Sequence, residues 1–152
     1  MGRTAEPAEV PLEDYVCLAL YAASRAVTGL YRELLGDLDL TYPQYLVMRL
    51  LWQRGGMPVK DIGDTLELDY GTLSPLLKRL EQSGLLRRVR RTDDERSVQI
   101  ELTDSGNKLR RRAEDIPDKL MCALGLDDQA AADLRGTLQQ IIASLKEAPA
   151  IA

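Results

Sequence analysis

Apolar or small residues recur at Leu12, Val16, Leu20, Ala23, Val27, Leu30 and Leu34, in steps of three and four. That spacing predicts a helix of about six turns over residues 12–35. Cys17, Tyr21, Ser24, Thr28 and Tyr31 form a second stripe beside the first. So broad an apolar surface predicts packing against several elements or against another subunit. Gly36 and the DLDL segment close this helix, and Thr41-Tyr42-Pro43 supplies a capping residue and an early proline for a second one running through Trp52 to Gly55-Gly56. A short helix from about Val59 to Leu66 follows, then the break LELDY. The next helix, about Tyr70 to Ser83, turns Leu73, Leu76, Leu77 and Leu80 inward and stops at Gly84. Pro75 falls in its first turns, where the missing N–H costs least.

The period then changes from 3.6 to 2. Val98, Ile100 and Leu102 alternate with polar neighbours, and residues 85–91 form an extended partner across TDDER, which predicts a β-hairpin with a charged tip. Thr103-Asp104 opens a helix of roughly 20 residues, interrupted near Pro117. Asp127 caps a last helix that carries Leu134, Leu138, Ile141, Ile142 and Leu145 on its inner face.

Composition narrows the function classes. The 152 residues suit one domain, 45% of them hydrophobic, and no apolar run approaches the roughly 20 residues that span a bilayer. The beginning MGRTAEPAEVP lacks the apolar block of a signal peptide, so the expectation is a cytoplasmic protein with no membrane partner. Two cysteines and no histidine leave too few ligands for a zinc site and remove every Ser-His and Cys-His catalytic pair. No cofactor is expected. The net charge of −4 is unevenly divided: residues 68–112 hold eleven Lys/Arg against seven Asp/Glu. A surface facing a polyanion and an ordinary solvated helix face both fit that asymmetry.

Short helix, tight break, second helix and hairpin over residues 59–102 follow the order of a winged helix-turn-helix. On its second helix Tyr70, Thr72, Ser74, Lys78 and Arg79 point away from the leucine face, and short hydroxyl residues near a helix start suit base edges and phosphates in a major groove. Arg87, Arg88, Arg90 and Arg91 lead into the wing, where guanidinium groups can track a phosphate backbone. At the tip, Arg96 beside Asp94 and Glu95 is the candidate for a narrow minor groove, oriented by a neighbouring carboxylate. The plainer reading of that tip is a surface turn with a local ion pair.

The runs TYPQYLVMRLLW, LDYGTLSPLLKRLEQSGLL and DDERSVQIELTDSG resemble the MarR family of winged-helix repressors. Together with CLALYAASRAVTGLYRELL they resemble its organic-hydroperoxide-sensing branch, OhrR, over about Leu12 to Leu124. Tyr70 stands where a small residue such as Ser is expected, and Leu18 where Phe often follows the cysteine. The resemblance implies a fold that is mainly α with a small β-hairpin wing, an α+β winged helix-turn-helix, as a single MarR-like domain over 1–152. Within it, 43–102 forms the DNA-binding region, and 12–36 with 104–146 an intertwined helical dimerisation region. It further implies a homodimer on double-stranded operator DNA, with an organic hydroperoxide as inducer.

A free thiol titrates near 8.5, so Cys17 needs a stabilised anion to act as a nucleophile at neutral pH. Tyrosine hydroxyls can donate to a thiolate, and Tyr21, Tyr31 and Tyr42 are the candidates. Tyr21 lies one turn from Cys17 on the same face. Tyr31 lies fourteen residues on, about 21 Å along a continuous helix, so it can reach only the thiol of another subunit. A lone helical cysteine is usually core filling; the resemblance reverses that reading for Cys17 and implies the intersubunit placing of Tyr31 and Tyr42. It also implies a role for Cys122, which burial alone would otherwise explain, as the thiol that traps oxidised Cys17 in an intersubunit disulfide. Two other readings stay open: a thiol peroxidase using both cysteines, and a regulator released by a phenolic ligand.

Overall fold

The computed structural model describes residues 9–90, 92–93 and 97–149. The chain divides into two compact units, Met1–Glu114 and Asp115–Ala152. The first begins with a 3-10 turn at Leu12–Asp14 and continues with α1 (Val16–Leu34), α2 (Tyr42–Arg54), β1 (Met57–Pro58), α3 (Val59–Leu66), α4 (Tyr70–Gln82), β2 (Leu86–Arg90), β3 (Val98–Leu102) and α5 (Asp104–Arg112). The second holds α6 (Ile116–Leu124) and α7 (Asp128–Glu147). The mainly helical architecture with a small hairpin is as the sequence predicts.

The capping signals act where the sequence places them. Thr41 accepts from the Gln44 amide while the Gln44 side chain accepts from the Thr41 amide, a reciprocal box that starts α2. Thr103 and Asp127 cap α5 and α7 in the same way, each through one side-chain oxygen. Gly84 ends the α4 connection at φ 73°, a conformation open to glycine at little cost. Leu73, Leu77 and Leu80 of α4 are buried, as are Tyr45, Val47, Met48 and Leu51 of α2, Ile62 of α3, and Leu86 and Ile100 of the hairpin. Leu76 is only half-buried.

Three local features differ from the sequence expectation. First, α1 starts at Val16 rather than Leu12, because Tyr15 is extended (φ −76°, ψ 122°). Leu12 and Val16 are 63% and 65% exposed, so the described residues give the first expected turn little packing to hold it helical. Second, the sheet has three strands in the order β1-β3-β2, all antiparallel. The extra strand pairs Met57 with Ile100 and Pro58 with Gln99, tying the α2–α3 connection to the root of the hairpin. Third, the inner face expected for α7 is open within its own unit: no residue of the helix is buried, and Leu134, Ile142 and Leu145 are exposed. The break near Pro117 falls at 113–115, which puts the proline in the first turn of α6.

One contact fastens α2 to α5. The Trp52 indole Nε1–H donates to the Gly106 carbonyl at 2.9 Å, buried. Gly106 is required there, since a Cβ on it would stand 2.1 Å from the Leu85 carbonyl oxygen. Thr103 completes the knot: its amide donates to Leu85 O and its hydroxyl to Gly84 O at 2.6 Å. The residues entering the hairpin are thus held by the first turn of α5.

Candidate functional site

The helix-turn-helix face is built by α3 and α4. Asp69 caps α4, accepting from the Thr72 amide at Oδ1 and the Thr72 hydroxyl at Oδ2, both at 2.9 Å. These bonds, the backbone one first, hold the Asp69 carboxyl below its usual range. They also commit the Thr72 hydroxyl proton to Asp69, leaving the Thr72 oxygen to act outward as an acceptor. Tyr70 is 69% exposed at the start of α4, and Lys78 and Arg79 are exposed further along, as expected; Ser74 is half-buried. A groove of about 530 Å³ between α3, the start of α4 and the hairpin is lined by Lys60, Asp64, Tyr70, Arg88 and Val98 among others. Lys60 escaped the sequence reading, because a lone lysine on a short helix carries no spacing signal.

The strand arginines divide by partner. Arg87 pairs with Glu101 across the hairpin, Nη2 to Oε2 at 2.8 Å, and Arg88 meets Glu81 of α4 at 3.3 Å. Both pairs are solvent-facing and hold their charges weakly, so a phosphate can compete for either arginine. Arg90 is exposed. Asp94 and Arg96, with Arg91, lie outside the described residues.

At the other end, Cys17 is the second residue of α1. It therefore lies in the first turn, where the helix presents amides without intrahelical acceptors and positive potential that favours an anion. Both cysteines are free thiols and both are exposed in the chain, so burial does not account for either. Tyr21 is 62% exposed one turn beyond Cys17.

Tyr31 and Tyr42 come together within one chain: their rings stack at 3.9 Å with an interplanar angle of 12°. Tyr45 joins them, 5.6 Å from Tyr31, and touches Trp52 edge-on at 6.3 Å. Burial, followed by the neighbouring phenols Tyr42 and Tyr45, pushes Tyr31 up to about 12. Burial likewise raises Tyr42 and Tyr45, while the Arg49 guanidinium opposes the rise at Tyr31 and Tyr45. Tyr31 thus keeps its proton throughout the physiological range and remains a donor. Tyr45 and Arg49 were missed in the sequence; at i and i+4 on a helix they read as ordinary packing and solvated charge. α1 runs unbroken from Val16 to Leu34, so Tyr31 stays out of reach of its own chain's Cys17.

Among the described residues no cluster of His, Cys, Asp and Glu could hold a metal ion, and no helix is long and apolar enough to cross a membrane. Residues 40–98 match the model of the MarR family. The organic hydroperoxide resistance transcriptional regulator of Bacillus subtilis is 49% identical over 124 residues, 82% of each chain. The chain belongs to the MarR family. Among solved structures, reduced AbfR bound to DNA is 32% identical with a TM-score of 0.74, covering 88% of this chain and 93% of that one. AbfR, a protein of Staphylococcus epidermidis, is also similar in its disulfide-formed state, 35% identical at a TM-score of 0.64 over 86% and 92% of the two chains. This MarR-family chain is accordingly a winged-helix transcriptional regulator rather than an enzyme, and a homologue of the organic hydroperoxide regulator.

Proposed function

We propose that this regulator represses transcription in the cytoplasm by binding double-stranded operator DNA as a homodimer, and that oxidation of Cys17 by an organic hydroperoxide releases it. The observation that carries this reading is the placing of an exposed Cys17 in the first turn of α1, in a chain whose buried Tyr31, stacked on the half-buried Tyr42, lies out of that thiol's intrachain reach. Such a pair can serve the thiol of a partner subunit. The open apolar faces of α1 and α7 give a second copy something to bury. That a relative at 49% identity is named for organic hydroperoxide resistance, and that AbfR is known both on DNA and in a disulfide form, supports the same chemistry.

In this reading the Cys17 thiolate attacks the O–O bond; the sulfur takes one oxygen as sulfenic acid, and the alkoxide leaves and collects a proton as the alcohol. The thiol of Cys122 of the partner subunit then condenses with the sulfenic acid, forming the S–S bond and releasing water. Disulfide geometry tolerates only short Cα separations, so bond formation has to move backbone. A dimer displaced in this way no longer fits two successive major grooves at once, and affinity falls by the difference in stability between the two forms. Thiols reverse the bond.

On non-reducing gels, cumene hydroperoxide should convert the wild-type chain to a covalent dimer that is absent in Cys122→Ser. A monomeric band throughout would assign resolution to a small thiol instead. On the DNA side, Arg96→Ala should weaken operator binding by roughly tenfold, the worth of a good base-edge or groove contact, and lower the salt slope by about one counterion. Titration of labelled duplex between about 50 and 200 mM salt tests this; unchanged affinity and slope would take Arg96 off the interface.

A further inference from the structure

Cys17, Tyr21 and Arg25 follow one another at four-residue steps on α1 and so share one ridge of the helix. Helical side chains lean toward the N-terminus, each covering the turn before its own. That tendency carries Arg25 toward Tyr21 and Tyr21 toward Cys17. The upper half of this ladder is formed in the structure: the Arg25 guanidinium carbon stands 5.6 Å from the centroid of the Tyr21 ring. Eight residues separate Arg25 from Cys17, about 12 Å of helix axis, so the guanidinium does not pair with the sulfur of its own chain directly.

We propose that Arg25 is a positioning residue for the thiol site, its cation over the ring fixing the Tyr21 side chain and making the phenol a stronger hydrogen-bond donor to the Cys17 thiolate. The inference rests on the reading of Cys17 as the sensing thiol. A cation on a ring face is attracted to its electron density, and withdrawing that density makes the hydroxyl proton easier to share. The charged surroundings give such a residue work to do. Glu13 and Asp14, on the turn just before α1, oppose a negative sulfur in the first turn. Arg49, with Tyr42 and Tyr45, belongs to α2 and acts on Tyr31, near the far end of α1. Arg25 is the first cation along α1 itself, and Tyr21 is the group through which it can act.

The test uses full-length protein carrying Cys122→Ser, so that Cys17 is the single thiol. Its iodoacetamide alkylation rate is followed against pH, alongside oxidation by cumene hydroperoxide. Arg25→Gln should move the midpoint up by roughly half a unit and slow oxidation at neutral pH about threefold, the scale of an exposed cation–π contact. Arg25→Lys, which keeps a cation, should recover part of the loss. In a Tyr21→Phe background the Gln substitution should have no further effect, since the hydroxyl that transmits it is gone. An unmoved midpoint in Arg25→Gln, or an equal shift with and without the Tyr21 hydroxyl, would overturn the proposal. Failure of the sensing reading shows separately, as operator release that survives Cys17→Ser, while the alkylation midpoint continues to report on Arg25.

Discussion

A Cys17→Ser protein is expected to bind operator DNA within about twofold of wild type and to stay bound when an alkyl hydroperoxide is added, whereas wild type should lose at least tenfold in affinity, a coupling of about 1.4 kcal/mol. Serine keeps the size of the side chain and its place in the first turn of α1, and Cys17 is exposed, so folding is not at stake. What is lost is the polarisable anion that attacks an O–O bond; a hydroxyl at neutral pH is no substitute. Fluorescence anisotropy of a labelled duplex, before and after cumene hydroperoxide, reads both quantities. Equal dissociation of the serine variant would end the redox account and favour a regulator that responds to a bound ligand. Burial keeps Tyr31 protonated well above neutral pH.

The other large effect concerns stability. Gly106→Ala should lower the melting temperature by roughly 5–12 °C at fixed protein concentration, the equivalent of about 3 kcal/mol of overpacking. A methyl group at this position would meet the Leu85 carbonyl oxygen at 2.1 Å, and both neighbours are held: Leu85 O also accepts from the Thr103 amide, and Gly106 O from Trp52. The strain is relieved only by moving the first turn of α5 away from the entrance to β2. Thermal unfolding followed by circular dichroism measures the change. A shift within about 1 °C would mean that this approach gives way without cost, against the usual rigidity of close-packed interiors.

The parts of the fold that were legible in the sequence are those decided locally. Thr41, Asp127 and Gly84 each fix a helix end through atoms a few residues away, and the leucines of α4 lie on the face their spacing predicts. The alternation of Val98, Ile100 and Leu102 gives β3 and its pairing with β2. The parts decided at long range were not legible. β1 is two residues long, flanked by glycine and containing proline, and exists because Ile100 and Gln99 pair with it. The Trp52–Gly106 bond spans 54 positions. At the thiol site, the spacing of Cys17 and Tyr21 was readable, and so was the impossibility of an intrachain contact from Tyr31. The stacking of Tyr31 on Tyr42, and the presence of Tyr45 and Arg49 behind them, depend on how the end of α1 meets α2. The exposure of α7's leucines has the same origin, since a stripe in sequence states that a face will be covered without saying by which chain.

The chain contains a single tryptophan, and its indole is pinned to the Gly106 carbonyl in the first turn of α5 while its ring edge touches Tyr45. Emission excited at the red edge, where indole alone absorbs, therefore comes from one known location between the phenol cluster and the first turn of α5, and unlabelled protein carries its own optical gauge of whether a disturbance at one is felt at the other.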